Sequence, residues 1–245
     1  HGHHYIKLID RLPGILKFVP TAGAITDAKH YLYLFCYFLQ PTPANIQAML
    51  LYSLKQYVKD ERLKSVKVSA PQQVPSVAIY HPDAPELFET FEAYRKWHKA
   101  KKRKPLDPES TIGLLVMRPQ VVSKTTKHYD ALIRAIEGEG LSVIPAIATL
   151  MDNREAVTRF FNHGSKRISQ IVSLTGFSFV GGPAMNDSAA ASQFLTDLNI
   201  PYRSAVSLDT QTIEAWRESL TGLNPVQAGM QIAIPEIDGA TEPFI

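Results

Sequence analysis

From Val77 onward the chain alternates short apolar runs with amphipathic stretches, and this alternation restricts the fold more than any other feature. Residues 77–80, 112–117, 141–147, 171–174 and 202–206 read as strands. The run Ile-Gly-Leu-Leu-Val-Met at 112–117 offers no polar position to water. Residues 85–104, 128–137, 154–162 and 188–198 read as helices between them, the second closed by Gly138 and Gly140. Strands buried on both faces and separated by helices imply an α/β fold. The expected form is a parallel sheet with helices on both faces (Rossmann-like or flavodoxin-like) and right-handed connections. Ligands in such sheets sit at the carboxyl ends of the strands, where the strand order switches.

Ahead of this region, residues 5–60 read as all-helical. Leu8, Leu12, Ile15 and Leu16 repeat at helical spacing, and two apolar-striped helices follow at 28–39 and 44–58. Gln40-Pro41-Thr42-Pro43 separates them, with Thr42 placed as N-cap and Pro43 at the first helical position. The expected division is a helical segment at 5–60, a linker at 61–75 and an α/β domain at 76–245.

The formal charge of +3 is a local effect. Residues 95–104 hold seven Lys/Arg and no acid, and the remainder has 19 basic against 23 acidic residues. Two readings stay open for this patch. One is a solvated helix end with cations near its last carbonyls. The other is a dock for an acidic partner or an anionic membrane surface. No aromatic residues interleave in a base-stacking pattern, so nucleic acid is not expected. The longest apolar run, residues 31–39, is too short to span a bilayer, and no secretory signal is visible. The single cysteine, Cys36, cannot form a disulfide within the chain, which fits a reducing cytoplasm. His1-Gly2-His3-His4 reads as a tag remnant and is kept out of any metal argument.

The loops after the strands carry the chemistry. Arg118-Pro119 follows one strand, Thr175-Gly176-Phe177 another, and Ser207-Leu208-Asp209-Thr210 a third, forming a binding rim. Gly181-Gly182-Pro183 is either a tight strand-to-helix turn or a place where backbone approaches a ligand face. The glycines do not have dinucleotide-fingerprint spacing and no phosphate-loop Lys follows them, so ATP is not expected to bind here. Near the end, Glu236, Asp238 and Glu242 lie within seven residues. They are either an ordinary acidic turn or hard oxygen ligands of the kind Mg²⁺ accepts. Asn224 and Pro225 open a helix that Pro235 is expected to end, leaving Glu236 at a C-terminal edge that the helix dipole disfavours for a carboxylate. His128 either faces the rim from a helix start or is a surface residue, and His81 in His81-Pro82-Asp83-Ala84-Pro85 reads as structural.

Taken together, these motifs resemble one family. Leu12-Pro13-Gly14-Ile15-Leu16-Lys17-Phe18-Val19-Pro20, the His81 turn, His128-Tyr129-Asp130, Gly181–Ser188 and Ile234–Thr241 are similar to segments of the large porphyrin-binding (H) subunits of magnesium chelatase, and more distantly of cobaltochelatase. Lys127 replaces a glycine of that family's Gly-His-Tyr. Met185–Ser188 follows the bacteriochlorophyll branch, where the chlorophyll branch has Arg-Gln-Asp-His. The resemblance implies a fragment from the N-terminal half of a much longer cytoplasmic subunit, which inserts Mg²⁺ into protoporphyrin IX for bacteriochlorophyll synthesis. It implies an AAA+ ATPase and an integrin-like subunit as partners that use ATP, with room for a methyltransferase downstream and at most peripheral membrane contact. On this reading Glu236 is the leading catalytic group, with His128 as a proton acceptor. Glu236, Asp238 and Glu242 offer metal ligands. Thr175, Gly176, Phe177, Gly181 and Gly182 line the porphyrin face.

Three alternatives remain. The first is a cobaltochelatase large subunit, which shares a Pro-Glu-x-Asp-Gly turn. The second is a non-catalytic domain that only holds porphyrin or docks partners. The third is an α/β binding domain of periplasmic-receptor type, which the missing signal peptide disfavours.

Overall fold

Among the described residues six strands form one mixed sheet in the order β1-β3-β2-β4-β5-β6. They are β1 (Ala78–Ile79), β2 (Thr111–Met117), β3 (Ser142–Ala148), β4 (Gln170–Ser173), β5 (Tyr202–Ala205) and β6 (Thr241–Phe244). The computed structural model describes residues 11–19, 23–58, 60–148, 152–181 and 185–244. Leu8, Gly182 and the first four residues, named above, lie outside them. β2 to β6 are mutually parallel, while β1 runs antiparallel to β3 at the edge, so the sheet is not wholly parallel as expected. Counted among the parallel strands alone, the order is 2-1-3-4-5, the flavodoxin-like arrangement.

The described chain separates into two compact units, one up to Val74 with Val122–Thr125, the other comprising the rest from Pro75. The first is built on α1 (Ala24–Phe38) and α2 (Pro43–Tyr57). Thr42 caps α2 as its sequence suggests, its side chain accepting from Asn45 N at 3.0 Å. Buried Asn45 in turn holds residues 40 and 72, donating to Gln40 O at 2.7 Å and Gln72 O at 2.9 Å and accepting from Gln72 N at 2.9 Å. The stretch read as a linker therefore contains a 3₁₀ turn at Glu61–Leu63 and a segment hydrogen-bonded to this helical pair. Cys36 is buried, and burial pushes its thiol pKa up.

In the second unit, β2 alternates its side chains between two cores. Leu115 faces a cluster with Val157, Phe160, Phe161, Phe179 and Leu195. Ile112, Leu114 and Val116 face Tyr129 and Ile133 of α5 on the other side. Both faces are thus covered, which is why the strand reads as a continuous apolar run. Each fully buried Phe, Leu or Ile contributes about 1.5–3 kcal/mol relative to an exposed one.

Helix boundaries differ from expectation where tertiary contacts decide them. The helix read from residue 85 is α3 (Phe91–Ala100), capped by Thr90. Phe88 is drawn into an antiparallel bridge with Ile79 instead. Arg118-Pro119 opens a short helix, α4 (Arg118–Ser123), followed by α5 (Lys127–Gly138). Next, α6 begins at Arg154–Ala156 and finishes as a π segment, Val157–Phe161. Then come α7 (Ser188–Leu198), matching its sequence reading, and α8 (Ile213–Glu218).

The last helix, α9, runs as Pro225–Ala228, a π segment Gly229–Ala233, and Ile234–Asp238. Pro235 does not end it. Proline cannot donate to the carbonyl four residues back, here Gln231 O. That carbonyl instead accepts from Ser204 Oγ at 2.8 Å, so the π segment accommodates the proline and the helix continues to Gly239.

His81 holds a network at the end of β1. Its Nδ1 accepts from Asp83 N at 3.1 Å and its Nε2 lies 3.2 Å from Glu137 Oε1. Arg103 bonds Glu137 at 2.6 Å and also pairs with Asp83, so one cation of the basic stretch is structural. His98, 3% exposed, packs against Tyr94 and Trp97. Burial, then Arg103, pulls its pKa down to about 4. A histidine held neutral in the fold but free to charge when unfolded stabilises fully above its unfolded pKa of about 6.5. That stability is lost as pH falls from about 6.5 to about 4. Urea unfolding midpoints should therefore drop between pH 7 and pH 5, and His98→Leu should flatten the drop. An unchanged pH slope in that variant would contradict this assignment.

Candidate functional site

The carboxyl ends of β2, β4 and β5 meet where the strand order reverses, and a crevice opens there. The chain leaves β2 for β3 on one side and returns to β4 on the other, so the loops diverge and leave a gap. Its enclosed volume is about 40 Å³. That is room for roughly two or three water molecules.

One wall comes from α5. Tyr129, 1% exposed, accepts from Met117 N at 3.3 Å, which leaves its hydroxyl hydrogen available to an acceptor. Burial raises its pKa to about 12, so it stays a neutral donor. The preceding His128 is exposed, its ring centroid 3.9 Å from that of Tyr129. Desolvation lowers the His128 pKa, while Asp209 and Asp130 pull the other way.

A second wall is the turn after β4. Ser173 Oγ and Thr175 Oγ1 lie 2.9 Å apart and Thr175 N donates to Ser173 Oγ at 3.3 Å, so the Thr175 hydroxyl closes the strand end internally. Gly176 (φ +67°) and Phe177 continue the lining. A Cβ on Gly176 would lie 2.9 Å from Gln231 Cγ, so any side chain there would have to displace Gln231.

The third wall was not recognised as a unit from sequence. Asn224, Gln227 and Gln231 fall on one face of α9 and fix the loop after β5. Asn224 Nδ2 donates to Thr210 Oγ1 at 2.7 Å. The Gln227 side-chain carbonyl accepts from Asp209 N at 3.0 Å and Thr210 N at 3.1 Å. Gln231 Nε2 donates to Asp209 Oδ2 at 3.3 Å. Gln231 is 5% exposed and its Oε1 has no partner among the described residues. The crevice therefore offers a buried acceptor beside a carboxylate. The i, i+3, i+7 spacing of these amides was the available signal.

The acidic turn lies elsewhere. Thr241 pairs with Arg203 near the start of β5, so the turn sits toward the amino ends of the strands. Its three carboxylates do not converge. Glu236 is exposed. Asp238 is fully buried, with Oδ2 accepting from Phe179 N at 2.6 Å. Glu242 is exposed and paired with Arg203. Among the described residues no three His, Cys, Asp or Glu groups are placed to hold a metal ion. Gly181 lies on the β4–α7 connection and is not among the residues lining the crevice; Gly182 is outside the described residues. No helix among the described residues is long and apolar enough to cross a membrane.

The fold and crevice define an open α/β domain of flavodoxin-like strand order with a small polar site at its switch point. A family model described as CobN/Magnesium Chelatase matches residues 35–245, and the chain belongs to that family. It is 40% identical, over 98% of its length, to the magnesium-chelatase H subunit of Rhodobacter capsulatus, of which it covers 19%. With the corresponding protein of Cereibacter sphaeroides the identity is 36% over 100% of the chain and 20% of the relative. Among solved structures, the catalytic subunit of cobaltochelatase from Mycobacterium tuberculosis shares the fold, with a TM-score of 0.59 and 20% identity over 88% of this chain and 17% of that one. The chain thus spans about a fifth of the length of these magnesium-chelatase relatives.

Proposed function

We propose that this chain forms one wall of the porphyrin site in a cytoplasmic, large porphyrin-binding subunit of a magnesium chelatase for bacteriochlorophyll synthesis. Mg²⁺ is inserted there into protoporphyrin IX, while ATP is hydrolysed on an AAA+ partner working with an integrin-like one. The observation that carries this reading is the 40% identity along 98% of the chain with a magnesium-chelatase H subunit. The crevice supports the single-wall form. At about 40 Å³ it cannot enclose a macrocycle, so the porphyrin lies across its rim, against Gly176 and Phe177, with Gly181 on the same connection and Thr175 holding the turn from behind.

Insertion exchanges two pyrrole N–H protons for one Mg²⁺, which must also lose water. The protein must supply proton acceptors and an oxygen ligand. Glu236, the exposed carboxylate of the acidic turn, lies outside the crevice, so its leading role requires the macrocycle to extend past the rim to the last turn of α9. His128, whose pKa desolvation lowers, is the second proton acceptor. Asp238 and Glu242 act in support: Asp238 anchors the loop at Phe179, and Glu242 is neutralised by Arg203.

A fluorescence-quenching titration with deuteroporphyrin tests this reading, with Trp97 and Trp216 as reporters. Saturable binding weakened roughly tenfold by Phe177→Ala, about 1.4 kcal/mol, is expected. A folded chain that shows no quenching would place the site in the rest of the subunit. A cobalt-inserting reading has some support, because the aerobic cobaltochelatase subunit CobN of Pseudomonas aeruginosa is 26% identical over 69% of the chain and 12% of its own length. Comparing Mg²⁺ and Co²⁺ insertion by the intact protein separates the two. Preference for Co²⁺ would reverse the assignment.

A further inference from the structure

The helical unit carries an open cavity, unrelated to the crevice, of about 430 Å³. Three lysines line it (Lys17, Lys29 and Lys55), and no acidic residue does. Lys29 and Lys55 are held in place by main-chain carbonyls. Lys29 Nζ donates to Val19 O at 2.8 Å and Lys55 Nζ to Val66 O at 2.7 Å. Each ammonium keeps further donors, and neither they nor Lys17 form an ion pair among the described residues.

Three tyrosines share the lining. The Tyr33 and Tyr52 rings stack at 5.0 Å and 29°, with Tyr37 against both. Two of the three hydroxyls are engaged: Tyr37 donates to Ser69 O at 2.5 Å, and Tyr52 Oη lies 2.7 Å from His30 Nδ1. The Tyr33 hydroxyl has no hydrogen-bond partner among the described residues. Burial raises its pKa, so it remains a donor at neutral pH. Leu16 and Val68 add apolar surface.

We infer that this cavity binds a small planar anion, an aromatic ring bearing a carboxylate or phosphate. Three cations facing one space repel each other, and an anion there relieves the repulsion while accepting from their spare N–H groups and from Tyr33. The stacked tyrosines and the two aliphatic side chains give a ring its apolar contact. A purely inorganic anion leaves that surface uncovered, and a neutral ring leaves the cations unpaired. The inference does not depend on the chelatase reading, because the cavity lies wholly within the helical unit.

Calorimetric titration of the 245-residue chain with 2-naphthoate, 2-naphthylmethanol and acetate separates the contributions of ring and charge. One saturable site is expected for 2-naphthoate, at least about tenfold tighter than for either control and weaker as NaCl rises from about 50 to about 300 mM. Lys29→Gln with Lys55→Gln should weaken it roughly tenfold or more. Those lysines also bond the backbone, so Lys17→Gln and Tyr33→Phe serve as variants that break no internal hydrogen bond, each expected to weaken binding roughly threefold. Absence of saturation at millimolar naphthoate, equal affinity for 2-naphthylmethanol, or binding unchanged in Lys17→Gln and Tyr33→Phe would overturn the inference.

Discussion

Glu236→Gln in the full-length protein should lower Mg²⁺ insertion at least about 100-fold while porphyrin affinity stays within about twofold. General acid–base groups contribute about 10²–10⁴-fold, and glutamine can neither take a pyrrole proton nor present an anionic oxygen to a metal ion. The substitution keeps size and shape at an exposed position, so the fold should not respond. Steady-state formation of the Mg-porphyrin with the partner proteins present, beside a porphyrin titration, reads both quantities. Unchanged turnover would remove Glu236 from the mechanism. Parallel loss of turnover and porphyrin binding would make it a binding residue instead. Asp238→Asn provides the contrast. That carboxylate is buried and holds the Phe179 N–H, so its loss should appear in unfolding as well as in activity.

The largest effect on stability is expected at Gly181. Its φ is +87°, and a Cβ there would fall 2.1 Å from the main-chain carbonyl oxygen of Met185. A backbone atom cannot rotate out of the way as the end of a side chain can, so the main chain at Gly181 or Met185 must shift. Gly181→Ala should cost about 2–4 kcal/mol, combining the left-handed penalty with overpacking. Denaturant titration compares it with Gly138→Ala, where a Cβ meets nothing within 4 Å in a helical setting and stability should hold or rise slightly. Equal midpoints for the two variants would show that the chain does not need glycine at position 181.

The sequence disclosed those parts of the fold that local rules control. The caps at Thr42 and Asn224, the α7 limits and the apolar β2 run all follow from residues within one or two turns of each other. What escaped was decided at a distance. Phe88 left a helix-compatible stretch because Ile79 offered a backbone partner. Thr241–Phe244, exposed throughout and containing a proline, has no strand-like pattern, and β5 makes it one. Of the candidate site, the rim segments after β4 and β5 were readable because glycine and hydroxyl residues cluster at strand ends. The acidic turn reads as a ligand triad only if closeness in sequence becomes closeness in space. The helix ending at Asp238 instead sends that side chain inward and leaves Glu236 outward.

Helix α9 makes one more demand on the chain. Its first turn grips the Asp209 loop through Gln227, its last turn carries Glu236, and the π segment Gly229–Ala233, which includes Gln231, lies between. A π segment amounts to one residue more than an α-helix would use over the same rise, and one residue is about 100° of rotation. Deleting a single residue there would leave both ends helical but misphased. The Asp209 grip and the outward bearing of Glu236 could not then be kept together, so the extra residue acts as the phase setting of the helix.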